Sequence, residues 1–385
     1  MDPSLHHRLT QWRRHLHAHP GLTLHEQHTA AFVVEKLREL GVSEITPCVG
    51  GHGVVATLRR GSGQVANRAV GLRADMDALP IQETNLALPW SSTIPGVMHA
   101  CGHDGHTTAL LGAAKLLLDD TSWSGTVQLV FQPAEEGGGG ARAMIADGLF
   151  QRFPMDRIFG WHNWPGLPVG TVAVHERAVM AAGARFDIAF EGHSGHAALP
   201  HMTRDPMLGL GHAIVALQSI VARGVDPLAS GVVSVTIARA GEAQNQIAGR
   251  AELMGTARWL DESVGDYIEQ RIREVAAGVA ASFGLSAIAH FSRGVPVTAN
   301  SAAEREIAAG AAAAVAPLRR DMPPAMTGED FSWFLAEVPG AFVWIGNGPA
   351  EAGRELHNAG YDFSDDVLPY ASGFLAEAAK RALAG

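Results

Sequence analysis

The hydrophobic positions of the first forty residues repeat at the spacing of a helix. Between Leu5 and His19, and again between Glu26 and Leu40, apolar side chains recur every three or four positions, as expected for one buried helix face. Gly41 follows the second stretch and is a typical stop signal. The chain is therefore predicted to begin with two helices.

Farther along, short β-rich runs alternate with helical stretches. The runs are GVVATL at 53–58, AVGLRADMD at 69–77, TVQLVFQ at 126–132 and RIFGWHNWP at 157–165, and the clearest helix is TTALLGAAKLLL at 107–118. This alternation predicts an α/β domain with a sheet flanked by helices. Ligands of such sheets bind at the carboxyl ends of the strands. Four acidic residues fall at those ends: Asp75, Asp77, Glu135 and Glu136.

A different rhythm begins near residue 185. Strands and helices follow in the order β-α-β-β-α-β up to about residue 292, which is typical of a ferredoxin-like α+β unit. GAFVWIGN at 340–347 and a closing helix then return to the first pattern. The predicted organisation is a catalytic domain with a mixed sheet, made of residues 1–182 and 296–385, and an inserted domain at 183–295.

The composition of the chain indicates which classes of function are unsuited to it. Apolar residues are 47% and charged residues 18% of 385 positions, which fits a compact globular protein. The formal charge of -10 argues against nucleic-acid and anionic-membrane partners, which require a cationic surface. No stretch approaches the roughly 20 apolar residues of a membrane span. The two cysteines, Cys48 and Cys101, are expected to be reduced thiols, and the expected location is the cytoplasm.

The stretch VMHACGHDGH at 97–106 concentrates side chains that bind metals. Cys101 and His103 are close enough to hold one ion or two adjacent ions, and zinc accepts both thiolate and imidazole. The alternative is that His99 and His106 are turn or cap residues and Cys101 a small buried hydrophobe; taken alone, the two interpretations are equally good. The surroundings favour metal, since further ionisable residues lie beside strand ends or Gly/Pro-rich loops, where an ordinary core role is uncommon: Asp75, Asp77, Glu136, His162 and His357.

The adjacent pair Glu135 and Glu136 adds a second signal. On extended chain, neighbouring side chains point to opposite sides, so one carboxylate can bind metal while the other handles the proton of a water. A solvated acidic turn is the alternative, although it is less natural directly after the apolar strand VQLVF. The following GGGG lacks the Lys-Ser/Thr of a phosphate loop.

Seven segments together resemble the signature blocks of the amidohydrolase branch of the aminoacylase and carboxypeptidase superfamily, which includes hippurate hydrolases and plant auxin-conjugate hydrolases. They span nearly the whole chain in the order of that family. The segments are LRADMDALP (72–80), GVMHACGHDGHTTALLGAA (96–114), FQPAEEGGGGARAMIADG (131–148), GWHNWPGLPVG (160–170), GHSGHAALPH (192–201), GEDFSWF (328–334) and LHNAGYDFSDD (356–366).

The resemblance implies a site for two divalent ions, which could be zinc, manganese, cobalt or nickel. Its implied metal ligands are Cys101, His103, Glu136, His162 and His357. It implies that a metal-bound hydroxide attacks the substrate, with Glu135 as general base and acid. Asp77 is placed with the catalytic residues, and Asp75 and Asp104 are expected to orient ligands, although a plain helix start is an equally good interpretation of Asp104.

In the inserted domain, the resemblance implies a lid that also forms a homodimer. His196 would stabilise the oxyanion, and His196 and Asn245 would reach the site of the partner subunit. Arg258 would hold the substrate carboxylate, and His201 is a further expected substrate contact. The alternatives are a surface histidine, an Asx-turn asparagine and a strand-face arginine. The chain departs from the family pattern in this domain at NQIAG (245–249) and His193, and near its start at Gly21 and His25.

The function implied by the resemblance is metal-dependent hydrolysis of the amide bond of N-acyl amino acids. A dipeptidase or carboxypeptidase on the same metals, and a binding protein that has lost catalysis, are the alternatives. Retention of all five expected ligands and of Glu135 argues against a binding protein that has lost catalysis. A structural zinc protein would have a closed site of four ligands, which a set of five ligands with Glu135 beside it does not match.

Overall fold

The computed structural model describes residues 1–61, 68–351 and 353–384. Its helices, in chain order, are α1 (Pro3–Ala18), α2 (Gln27–Glu39), α3 (His103–Asp119), α4 (Gly140–Ala146), α5 (Leu149–Arg152), α6 (Pro206–Leu217), α7 (Ser219–Gly224), α8 (Glu262–Ser282), α9 (Ala302–Val315), α10 (Ser332–Glu337) and α11 (Leu368–Ala384). None of these described helices is both long and apolar enough to cross a membrane.

The strands begin and end close to the predicted bounds, and several short strands add to them. They are β1 (Glu44–Val49), β2 (Gly53–Arg60), β3 (Ala69–Asp75), β4 (Gly125–Gln132), β5 (Arg157–Trp164), β6 (Val172–Ala173), β7 (Ala178–Met180), β8 (Ala182–Glu191), β9 (Gly195–His196), β10 (Gly231–Ala240), β11 (Gln246–Ile247), β12 (Arg250–Trp259), β13 (Ser286–Arg293), β14 (Thr298–Ala299), β15 (Leu318–Arg319) and β16 (Gly340–Gly346).

The chain divides into two compact units. Unit 1 comprises Met1–Val179, Ala299–Pro323 and Asp330–Gly385, and unit 2 comprises Met180–Thr298 and Pro324–Glu329. The short segment Pro324–Glu329, which the sequence pattern assigned to the catalytic domain, clusters with unit 2 because Ala181 donates its N–H to the carbonyls of Ala325 and Thr327.

Unit 1 is built on a mixed sheet in the order β1-β2-β4-β3-β5-β16-β6-β15. Strands β4, β3, β5 and β16 are neighbours and run parallel, so their carboxyl ends meet at one edge of the sheet. A hydrophobic core joins apolar residues of these strands to helices that include α1, α3, α9 and α11. The predicted α/β architecture is confirmed. The acidic residues were expected at the carboxyl ends of the strands, and these ends form one edge of the sheet.

Unit 2 has its own sheet in the order β10-β12-β8-β13. All its neighbouring strands are antiparallel, and α6 and α8 pack against it around a separate core. This is the strand order of a ferredoxin-like fold, as predicted.

Candidate metal centre and active site

The five expected metal ligands come together in unit 1 from four separate parts of the chain. Cys101 and His103 stand at the start of α3, Glu136 follows β4, His162 lies near the end of β5, and His357 belongs to the loop before α11. His357 has a φ of 63°, and its N–H bonds the carbonyl of Ala100 at 2.8 Å. That bond fixes His357 beside Cys101.

The ligand atoms are close enough to share ions. Cys101 Sγ lies 3.4 Å from His162 Nε2 and 3.3 Å from His357 Nε2. Glu136 Oε1 lies 3.0 Å from His357 Nε2 and 4.0 Å from His103 Nε2. A thiolate, three imidazoles and a carboxylate form a donor set that suits divalent transition metals.

Two buried polar atoms without hydrogen-bond partners in the described residues indicate whether the cluster fits metal ions. His103 Nε2 and Glu136 Oε1 are buried, and neither has a hydrogen-bond partner among the described residues. Glu136 Oε1 is 3.0 Å from His357 Nε2 without meeting hydrogen-bond geometry. Buried polar atoms almost always have partners, so this arrangement fits a shared ion, and the cluster is a site for divalent metal ions.

Hydrogen bonds set the tautomers of two ligand histidines. His103 Nδ1 is 3.2 Å from Asp77 Oδ1, and His162 Nδ1 is 2.6 Å from the carbonyl of Asn163. Each Nδ1 therefore faces an oxygen acceptor, which leaves Nε2 directed at the other candidate ligand atoms. Burial lowers the pKa of His162, which favours the neutral imidazole that a metal requires.

Asp77 contacts two of the expected metal ligands at once. Its Oδ1 faces His103, while its Oδ2 accepts the N–H of Glu136 at 3.0 Å and the hydroxyl of Thr23 at 2.8 Å. Burial alone raises the pKa of Asp77, but these bonds outweigh it and the pKa is lowered. The carboxylate therefore stays ionised and holds both of these expected ligands in place.

Asp75 lies deeper and holds His106. The carboxylate of Asp75 is 2.6 Å from His106 Nδ1 and 2.8 Å from Arg73 Nη1. His106 Nε2 accepts the N–H of Asn163 at 3.0 Å, so both ring nitrogens of His106 are engaged. His106 therefore supports the site through hydrogen bonds, and Asp75 Oδ2 approaches His103 Nε2 at 3.7 Å.

Asp104 is fully buried at the start of α3. Its carboxylate lies 2.8 Å from His17 Nδ1 and 3.7 Å from Arg13 Nη1. Asp104 thus takes part in a buried ionic network behind the cluster, and its expected role in orienting a ligand stays a prediction.

The pair Glu135 and Glu136 lies on a turn, so the premise of an extended chain was wrong. Residues 135–138 form this turn, and the N–H of Gly137 bonds the carbonyl of Glu135 at 2.6 Å. Glu135 Oε1 accepts the N–H of Asp330 at 3.3 Å. The ligand atoms of His103, Glu135 and Glu136 still lie within 4.8 Å of one another. Both carboxylates therefore face the same cluster.

Gly102 makes the approach of α3 to β5 possible. It has a φ of 86°, and a Cβ built there would lie 2.4 Å from Asn163 Nδ2 and 2.7 Å from the Tyr361 hydroxyl. Any other residue would therefore meet both the backbone strain and a steric clash. The same two side chains bond each other, since the Tyr361 hydroxyl donates to Asn163 Oδ1 at 2.6 Å.

The remaining predicted residues belong to unit 2. β9 pairs with β11 so that His196 faces Gln246, and Ala197 donates its N–H to the carbonyl of Asn245 at 2.9 Å. His196 and Asn245 are exposed and lie close together on this ribbon. Arg258 stands in β12 opposite Gly183. The exposed residue His201 lies in the short 3₁₀ turn Pro200–Met202.

Several residues that contact the cluster were missed by the sequence analysis. Asn163 carries the backbone carbonyl that orients His162, and Glu26 bonds the backbone beside Glu135. The position of Asn163 next to His162 was a signal for its role. For Glu26, which comes just before a helix, the sequence gives no sign of complete burial.

Comparisons with known proteins agree with this geometry. The model of peptidase family M20/M25/M40 matches residues 71–381. N-acetyl-L-cysteine deacetylase of Bacillus subtilis (strain 168) is 40% identical over 372 residues, covering 96% of this chain and 87% of that protein. Hippurate hydrolase of Campylobacter jejuni is 39% identical over 375 residues, covering 96% and 95%.

A comparison with solved structures points to the same family. The Bacillus subtilis YXEP protein, a dinuclear metal binding peptidase from the M20 family, aligns with a TM-score of 0.86 at 35% identity and covers 98% of each chain. The chain therefore belongs to peptidase family M20/M25/M40 and is a metal-dependent amidohydrolase.

Proposed function

We propose that this amidohydrolase cleaves the amide bond of small N-acyl amino acids and releases a carboxylic acid and a free amino acid. The observation that carries the proposal is the position of Glu135, whose carboxylate lies within 4.8 Å of ligand atoms of His103 and Glu136. A carboxylate beside a metal centre can transfer the protons that a hydrolytic reaction requires. The relatives named for deacetylation and for hippurate hydrolysis support the same substrate class.

The cluster is proposed to hold two divalent ions per chain, of zinc, manganese, cobalt or nickel. The residues that would hold them are Cys101, His103, Glu136, His162 and His357. Such ions supply Lewis acidity, which polarises a scissile carbonyl and lowers the pKa of water. The mixture of soft and hard donor atoms supports a transition metal over magnesium or calcium.

Glu135 is proposed to move the proton. Its carboxylate takes a proton from the attacking water and later gives it to the nitrogen of the leaving amino acid, which departs as a neutral amine. The N–H of Asp330, 3.3 Å from Glu135 Oε1, restrains the carboxylate beside the cluster. Asp77 assists by holding His103 and the backbone of Glu136.

The inserted domain, with proposed bounds 183–295, is proposed to act as a lid and as the surface of a homodimer. His196 would donate to the developing oxyanion, and Asn245 would act with it, both in the site of the partner subunit. Their exposure and their closeness on the β9–β11 ribbon support this pairing. Arg258 would bind the substrate carboxylate through its two-pronged guanidinium, and His201 would contact the substrate.

We also place the protein in the cytoplasm. Both Cys48 and Cys101 are free thiols, and Cys101 can bind metal only while it stays reduced. Such thiols persist in a reducing compartment.

The test is release of free amino acid from a panel of N-acyl amino acids that includes hippurate and N-acetylmethionine, alongside dipeptides. We expect release from the N-acyl substrates with added divalent metal and its loss after chelation. Release from the dipeptides alone would replace the proposal with a peptidase function. No release from any substrate by the metal-loaded protein would indicate a non-catalytic binding protein.

A further inference from the structure

Glu26 is a completely buried glutamate close to the active-site turn. Its side chain has no exposed surface, and a single carboxyl oxygen, Oε1, accepts two backbone N–H groups. These come from Leu24 at 2.8 Å and from Ala134 at 3.0 Å. Glu26 thus joins the loop before α2 to the segment that carries the two active-site glutamates.

Both donors have an unusual backbone conformation. Leu24 has a φ of 68° and Ala134 a φ of 53°, values that residues with a Cβ rarely adopt. Strained conformations of this kind persist only where the surrounding structure enforces them, and they concentrate at functional sites. One oxygen of Glu26 therefore stabilises two strained residues.

The turn after Ala134 is held at successive positions. Glu26 bonds the N–H of Ala134, Asp77 bonds the N–H of Glu136, and the N–H of Asp330 bonds Glu135 Oε1. Ala134 immediately precedes Glu135, so its φ and ψ set the direction in which Glu135 leaves the strand. A change in that dihedral angle would rotate Glu135 relative to the ligands.

We propose that Glu26 is a positioning residue for Glu135, which it orients by fixing the left-handed backbone of Ala134. The proposal rests on the proposed role of Glu135 as the general base.

We expect the hydrogen-bonding oxygen of Glu26, more than its charge, to carry this role. Glu26 Oε2 is buried and has no hydrogen-bond partner among the described residues. Burial raises the pKa of the Glu26 carboxyl, and the nearby carboxylate of Asp77 acts in the same direction. A neutral side chain with a carbonyl oxygen in the same place should therefore perform the same task.

Three variants of the metal-loaded full-length protein separate this role from simple stability. Glu26→Ala removes the acceptor oxygen, and Glu26→Gln retains it. Glu304→Ala is the matched control, because Glu304 is also buried in unit 1 but is paired with Arg157 at 3.5 Å. Each variant is assayed for kcat and KM on an N-acyl amino acid, and for hydrogen exchange in a peptide covering residues 131–140.

We expect Glu26→Ala to lower kcat by about 10- to 100-fold with little change in KM, since a displacement of about 1 Å in a catalytic group has effects of this size. Exchange in the 131–140 peptide should become faster, because the amide of Ala134 loses its partner. Glu26→Gln should restore both measurements to near wild type. Glu304→Ala should lower the melting temperature and leave kcat and the peptide unchanged.

The proposal is overturned if Glu26→Ala leaves either kcat or exchange unchanged, if Glu26→Gln is as impaired as Glu26→Ala, or if Glu304→Ala causes the same loss. Exchange is measured whether or not the wild type turns over the substrate. Faster exchange in Glu26→Ala together with an inactive wild type would refute the proposed function and leave the Glu26 contact established. Unchanged exchange with an active wild type would refute the role of Glu26 alone.

Discussion

The carboxylate of Asp77 lies 3.2 Å from Nδ1 of His103 and so determines which ring nitrogen of that histidine faces the metal centre. His103 Nε2 is left buried without a hydrogen-bond partner in the described part of the chain. The same carboxylate holds the backbone of Glu136. Metal binding and the position of the glutamate turn are therefore coupled through one side chain.

Replacing Asp77 with asparagine should weaken metal binding. The amide removes the negative charge that stabilises the Nδ1–H tautomer, and changes of this kind typically cost 10- to 100-fold in metal affinity. The measurement is a competition titration against a chromogenic chelator. Asp156→Asn is the control, since Asp156 bonds the N–H of Ala69 and should leave affinity unchanged. Equal affinities for Asp77→Asn and wild type would contradict the assigned role.

Metal binding to the metal-free protein should release protons at pH 7.5. Burial raises the pKa of the Cys101 thiol well above its usual range, with nearby carboxylates acting in the same direction. Burial lowers the pKa of His103, but Asp75 and Asp77 outweigh it and raise the pKa to about 10. Both side chains must lose a proton to become ligands, so about two protons per chain should appear.

This release can be followed with a pH indicator in weakly buffered solution as zinc is added. The protein already loaded with metal is the control and should release none. Uptake of metal with no change in indicator absorbance would show that Cys101 and His103 are not both protonated ligands.

The buried contact between His17 and Asp104 should make stability depend on pH. Burial lowers the pKa of His17, but hydrogen bonds to Asp104 and Glu83 outweigh it and raise the pKa to about 9. The folded state therefore binds one proton more than the unfolded state between about pH 6.5 and 9. The contribution of protonated His17 to the free energy of unfolding is fully present below about pH 6.5. It is lost as the pH rises through about 9.

Urea unfolding of wild type and His17→Gln at pH 6, 7.5 and 9.5 checks this expectation. The difference in the free energy of unfolding should shrink by on the order of 2 to 3 kcal/mol across that range. A difference that stays constant with pH would mean that His17 is not protonated in the folded protein.

The elements of the fold could be predicted because their patterns are local. The run VQLVF and the helix after His103 have spacings that already specify a strand and a helix. The order of strands in unit 2 followed from the sequence of elements. The joining of Pro324–Glu329 to unit 2 could not be seen, since it depends on hydrogen bonds between the carbonyls of Ala325 and Thr327 and the distant residue Ala181.

The types of side chain in the candidate site could be predicted from the sequence. The backbone conformation that positions them could be predicted less well. Cys101, His103 and Glu136 stand beside strand ends or glycines, where their chemistry is conspicuous. The left-handed conformation of Ala134 has no signature in the sequence, because alanine is an ordinary helix former. Ala134 donates its N–H to the buried carboxylate of Glu26, a tertiary contact that local sequence patterns do not reveal.

The most direct test of the account compares Glu135→Gln with wild type for metal content and turnover of an N-acyl amino acid. Glutamine keeps the shape of Glu135 and its contact with the N–H of Asp330 but cannot take up a proton. We expect about two metal ions per chain in both proteins and a loss of kcat of about 100- to 10,000-fold in the variant. Unimpaired turnover by the metal-loaded variant would contradict the assignment of Glu135 as the group that moves the proton.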